Sequence, residues 1–137
     1  MRNVWIGTLV AVLLAAGCAT TPEKLRAHQT RQLIVVVPGS YQQVYRHLLG
    51  QARTCSWYDS GVTAFGGSTA RVENALFPDL NCAEIALTWH GTAGTDTPFL
   101  LDIEPAGAGQ TRVTAYFGYS GLYRGKVRKW LAELAGR

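Results

Sequence analysis

The sequence predicts an α+β domain of two layers: an antiparallel sheet of four to six strands with two helices packed on one face, in the order strand, helix, strands, helix. Three observations lead there. Between Cys82 and Gly118, apolar and polar residues alternate in three runs, the period of strands with one buried face. In Tyr41 to Ala52 and again in Val127 to Leu134, apolar residues recur every three or four positions, the period of helices with one buried stripe. The alternating runs are separated by turn residues, which favours a meander over parallel crossover units.

Taken in order, Gln32 to Val37, QLIVVV, is β-branched, apolar on both faces and too short for a helix, so it reads as a buried strand ended by Pro38 and Gly39. Ser40 then opens a helix through a capping box with Gln43, in which hydroxyl and amide each satisfy the other residue's backbone N–H. Tyr41, Val44, Tyr45, Leu48, Leu49 and Ala52 form its apolar face. Gly50 costs about 1 kcal/mol relative to alanine and loosens the last turn near Arg53 to Cys55. Val62 to Phe65 reads as a short strand and Ala70 to Phe77 as another, closed by the turn Pro78 to Asn81. Cys82 to His90 sets Ile85, Leu87 and Trp89 against Glu84, Ala86, Thr88 and His90. Gly91 to Thr97 reads as a loop. Phe99, Leu101 and Ile103 then alternate with Leu100, Asp102 and Glu104, and Pro105 to Gly109 turns the chain into Thr111 to Gly118. The closing helix, from about Leu122 to Ala135, carries Val127, Trp130, Leu131 and Leu134 as its stripe.

Ahead of this domain stands a leader. Arg2 supplies a positive n-region, Val4 to Leu14 an apolar h-region, and Ala15, Ala16 and Gly17 a small-residue cleavage zone that ends at Cys18. A retained membrane span would need roughly 20 apolar residues, and Thr20 to Lys24 turn polar at once. An ordinary signal peptide with an incidental cysteine is the competing reading. The run into Cys18 resembles the lipobox of bacterial lipoproteins, which implies a signal peptide over 1–17 and lipidation of Cys18 as the new N-terminus. The resemblance further implies three acyl chains, palmitate among them, and anchoring that a single chain would not give. Because Ala19 follows where an aspartate would mark inner-membrane retention, it also implies the outer membrane, facing the periplasm of a Gram-negative envelope. Residues 18–31 then read as a flexible, lipid-anchored tether with no useful apolar period. Residues 32–137 read as the periplasmic domain. Its element order looks like the helix-grip domains of accessory lipoproteins in the outer-membrane β-barrel assembly machine, a likeness of architecture with no functional residues to carry over.

With Cys18 assigned to lipid, Cys55 and Cys82 remain as an even pair in an oxidising compartment, and a disulfide is the economical reading. It would close a loop of about 28 residues and stabilise by roughly 3 kcal/mol. Two free thiols or a metal or redox pair are the alternatives, although no CxxC or Cys/His spacing supports the last.

Net charge is +4 for the chain and +3 once Arg2 leaves with the leader, short of a nucleic-acid-binding composition. No catalytic residue, metal site or cofactor is assigned. His28, His47 and His90 are the only histidines, and although His90 could face Asp102 or Glu104 across the sheet, no nucleophile completes a triad. Asp102 and Glu104, about 7 Å apart by strand geometry, have glycosidase-like spacing but are commonplace on a half-solvated strand. The glycines at 91–94 and 107–109 lack the lysine and the following helix of a phosphate loop.

The residues singled out for an interface are Tyr116 and Tyr119, expected exposed, and the basic cluster Arg124, Lys126, Arg128 and Lys129. The expected function is a non-enzymatic, lipid-anchored accessory or interaction domain of the cell envelope, with the membrane and an envelope protein as partners. A small apolar ligand or lipid carrier with a pocket lined by Trp89, Phe99 and Phe117 is the alternative, and a hydrolase the second.

Overall fold

The computed structural model describes residues 22–27, 32–54, 69–91, 94–118 and 123–136. Five antiparallel strands form one sheet: β1 (Gln32–Pro38), β2 (Thr69–Phe77), β3 (Cys82–Gly91), β4 (Gly94–Gly107) and β5 (Gln110–Phe117), in the spatial order β1-β5-β4-β3-β2. Among the described residues three α-helices accompany them, α1 (Pro22–Ala27), α2 (Tyr41–Arg53) and α3 (Arg124–Ala135). The fold is therefore the two-layer α+β arrangement that the sequence implies.

One side of the sheet carries the main core. Val37, Ile85, Leu87, Phe99, Leu101, Ile103, Val113, Ala115 and Phe117 point to α2 and α3, which bury Val44, Leu48, Ala52, Val127, Trp130 and Leu131 against them. These side chains alternate along each strand with residues on the other side, as a period of two demands. Helix α2 begins where expected: Gln43 N–H donates to the Ser40 hydroxyl and Ser40 N–H donates to the Gln43 amide oxygen. It runs through Gly50 to Arg53 without a break. Gly39 adopts φ +110°, which favours glycine. There its N–H donates to Gly109 O at 2.8 Å and its carbonyl accepts from the Thr111 hydroxyl at 2.8 Å, pinning the end of β1 to the β4–β5 turn.

Four expectations change. The stretch read as a loop over Gly91 to Thr97 is largely strand, since β3 runs to Gly91 and β4 starts at Gly94, with a register shift between Leu87 and Trp89. Polar Thr95, Asp96 and Thr97 hide this extension, because backbone pairing to β3 and not an apolar period holds it. Second, β1 is not a buried strand. It lies at the sheet edge with Ile34 53% and Val36 46% exposed, because no layer among the described residues covers their side of the sheet there. Third, α3 starts at Arg124 rather than Leu122, with Tyr123 as its N-cap. Fourth, the supposed tether contains α1. The strand expected over Val62 to Phe65 lies outside the described residues.

Candidate interaction surfaces

The two sides of the sheet differ chemically. Opposite the helices, Glu84 of β3 and Asp102 of β4 are direct register partners. Two carboxylates facing each other across an antiparallel pair repel. Arg26 of α1 resolves this: its Nε donates to Asp102 Oδ2 at 2.9 Å, and its Nη2 donates to Asp102 Oδ1 at 2.7 Å and to Glu84 Oε2 at 2.8 Å. The fork matches the carboxylate geometry of a bidentate pair. The bonds to Asp102, more than those to Glu84, hold the guanidinium charged well above its ordinary range against a smaller cost of burial. All three side chains keep roughly a third of their surface in water, so the cluster supplies on the order of 1 kcal/mol per contact and no more.

One residue earlier Leu25, 4% exposed, packs with Ala86, Leu100 and Tyr116 in a small second core. A helix of six residues has no stability of its own in water. Its persistence here rests on Leu25 and Arg26 together, whose side chains meet the sheet from consecutive positions. The sequence does carry a signal for it, PEKLRA, with proline in the first turn, Glu23 near the N-terminus and basic residues near the C-terminus. A single leucine gives no apolar period, which is why the segment reads as tether.

Beside α1 an open cleft of about 410 Å³ is lined by Arg26, Phe77, Cys82, Glu84, Asp102 and Tyr116, among others. Tyr116, expected exposed, is half-buried against α1; burial first, then the nearby Asp102 charge, pushes its phenol up. Cys82 carries a free thiol on this side. Cys55, its expected partner, lies outside the described residues. The acids weighed as a catalytic pair each have an arginine: Asp102 has Arg26, and Glu104 has Arg112 at 3.2 Å across β4 and β5. His90 does not face them. It lies 3.6 Å from Glu73 of β2, and its own register partner on β4 is Thr95, at the other end of the pair from Glu84 and Asp102.

The basic cluster lies on the other side of the molecule. Arg124, Lys126, Arg128 and Lys129 are all on the solvent face of α3, joined on α2 by exposed Arg46 and Arg53. Among described residues Glu133 is the only acid on the exposed faces of these two helices. Cations in the first turn of a helix oppose its dipole, and two of them are compensated by aromatic faces: Arg124 lies 5.8 Å from the Phe117 ring centroid and Lys126 5.9 Å from that of Tyr123. The interface read from sequence therefore divides, with Tyr116 on the open side and the cations on the helical side; Tyr119 and Cys18 lie outside the described residues.

A second cleft, about 460 Å³, runs between the start of α2 and the end of α3, lined by Pro38, Gly39, Gln43, Val44, His47 and Leu134. Neither cleft touches Trp89, Phe99 or Phe117. Among the described residues no group of three or more His, Cys, Asp or Glu could hold a metal ion, and no helix is long and apolar enough to cross a membrane. Comparison with protein families, with curated proteins and with solved structures finds no match to this chain.

Proposed function

We propose that the chain is a lipid-anchored envelope protein, attached through Cys18 to the periplasmic face of an outer membrane, whose domain engages an acidic envelope protein without catalysis. The observation that carries this reading is the docking of α1 on the open side of the sheet. Pro22 stands four residues beyond Cys18, and four peptide units reach about 14 Å at most. An acylated Cys18 would therefore hold the open side close to the membrane and turn the cationic helical side away from it. Confinement at the surface raises the local concentration of the domain, so a weak contact suffices for engagement.

The ligand-carrier alternative finds less support. It requires space around Phe99 and Phe117, whereas Phe99 is packed against the rings of Tyr123 and Trp130.

The test is photocrosslinking in living cells, with a photoreactive residue at Lys129 on the helical side or at Arg112 on the open side of the lipidated chain. A single recurring envelope protein captured from Lys129, in a yield that falls as salt is raised in isolated envelopes, is the expected result. Capture only from Arg112, or from neither position, would contradict it.

A further inference from the structure

Strand β1 has an apolar sequence at odds with its place at the sheet edge. It runs Gln32 to Pro38 along the sheet edge, paired to β5 on one side and, among the described residues, to nothing on the other. Exposed edges are ordinarily protected by charges, bulges or an interior proline. This edge has no charged residue, keeps an unbroken seven-residue register with β5, and holds its only proline at the end. It also exposes Ile34 and Val36.

We propose that β1 is the contact edge of a two-fold symmetric dimer, in which a second copy of the chain adds its own β1 antiparallel to the first. The strand is complementary to itself. Side chains on directly opposed residues share a face, so a two-fold pairing must be centred on a residue, and a slip of one position would turn core-side residues outward. Centring on Val35 gives the longest overlap. It sets Ile34 against the Val36 of the second copy and Gln32 against Pro38 on the open side, with Leu33 against Val37 and Val35 against itself on the helical side. Centring on Ile34 would oppose Gln32 to Val36 and shorten the ladder, and centring on Val36 would oppose Ile34 to Pro38. The Val35 register thus pairs all seven residues with the apolar ones matched.

The symmetry axis stands normal to the sheet. Both helical layers therefore emerge on the same side, and the ten strands form one continuous sheet with two cationic faces side by side. Seven residues a copy is well below the roughly 20–30 of a standard interface, so the dimer is weak in dilute solution and gains occupancy when both copies are confined to one surface. The pairing does not depend on the partner proposed above.

The experiment places a photoreactive residue at Ile34 of the full-length chain and co-produces two differently tagged forms in the same cells. The expected product carries both tags, with the adduct in the Gln32–Pro38 peptide of the other copy. Val36→Lys in the second form, a change at an exposed position, should lower the yield at least tenfold while thermal melting shifts by no more than a few degrees. An adduct confined to one chain, an adduct to a different protein, no adduct, or a yield indifferent to Val36→Lys would each overturn the proposal. Should Val36→Lys fail to fold, the adduct position decides alone. Crosslinks from Ile34 and from Lys129 report on different surfaces, so failure of one leaves the other interpretable.

Discussion

Replacing Phe99 with alanine is expected to cost about 3–5 kcal/mol of stability, the largest effect of any single change considered. Phe99 lies in the middle strand of the sheet, 1% exposed. Its ring meets Tyr123 at 5.4 Å and Trp130 at 6.0 Å, the latter edge to face. Each such pair contributes about 0.5–1.5 kcal/mol beyond burial, and these two fasten α3 to the sheet. A domain of this size has about 5–15 kcal/mol in total, so the loss would be a large fraction of it. Urea unfolding followed by tryptophan fluorescence measures the change. Phe77→Ala, at a position 39% exposed on the open side, should cost less than about 1 kcal/mol and serves as the contrast. A Phe99→Ala effect as small as that of Phe77→Ala would mean that α3 is held by something other than this aromatic contact.

The second large effect is local. Leu25→Asp is expected to undock α1 while leaving the main core folded. It removes about 2 kcal/mol of apolar burial and sets a third carboxylate close to Asp102 and Glu84. Without that docking a six-residue helix does not persist. Arg26→Ala should weaken docking by a smaller amount, about 1–2 kcal/mol, given the exposure of the ion pairs. The measurement is limited trypsin digestion of the full chain. Cleavage at Lys24 should accelerate tenfold or more in Leu25→Asp, and the melting temperature should change by only a few degrees because the main core contains no residue of α1. Unchanged cleavage would show that the segment is held by other contacts, and a general collapse would show that α1 belongs to the core.

The elements of this fold were readable wherever a periodic apolar pattern matched a single buried face. Val113, Ala115 and Phe117 alternate because only their side of β5 faces the main core, and Val127, Trp130, Leu131 and Leu134 recur because α3 has one stripe against the sheet. Where the pattern and the environment part company, the reading failed. β1 is apolar on both faces, which implies two covering layers, and among the described residues only one covers it. The start of β4 pairs with β3 through polar residues, and backbone pairing leaves no trace in side-chain polarity. Helix α1 is fixed by residues from distant parts of the chain, Ala86, Leu100 and Tyr116 around Leu25 and Asp102 and Glu84 around Arg26, and no local pattern in PEKLRA names them. The candidate surfaces were half legible for the same reason. The cations of α3 cluster in sequence and stay clustered, whereas Tyr116 is near them in sequence and on the opposite side of the sheet.

Attachment through Cys18 is the claim on which the orientation of the domain depends, and the mass of the mature N-terminal peptide tests it most directly. Chain recovered from the envelope of a Gram-negative host should begin at Cys18 and carry the mass of three acyl chains, and Cys18→Ser should release the protein from the membrane fraction. A mature peptide that begins elsewhere, or an unmodified Cys18 on a protein still bound to membranes, would contradict it.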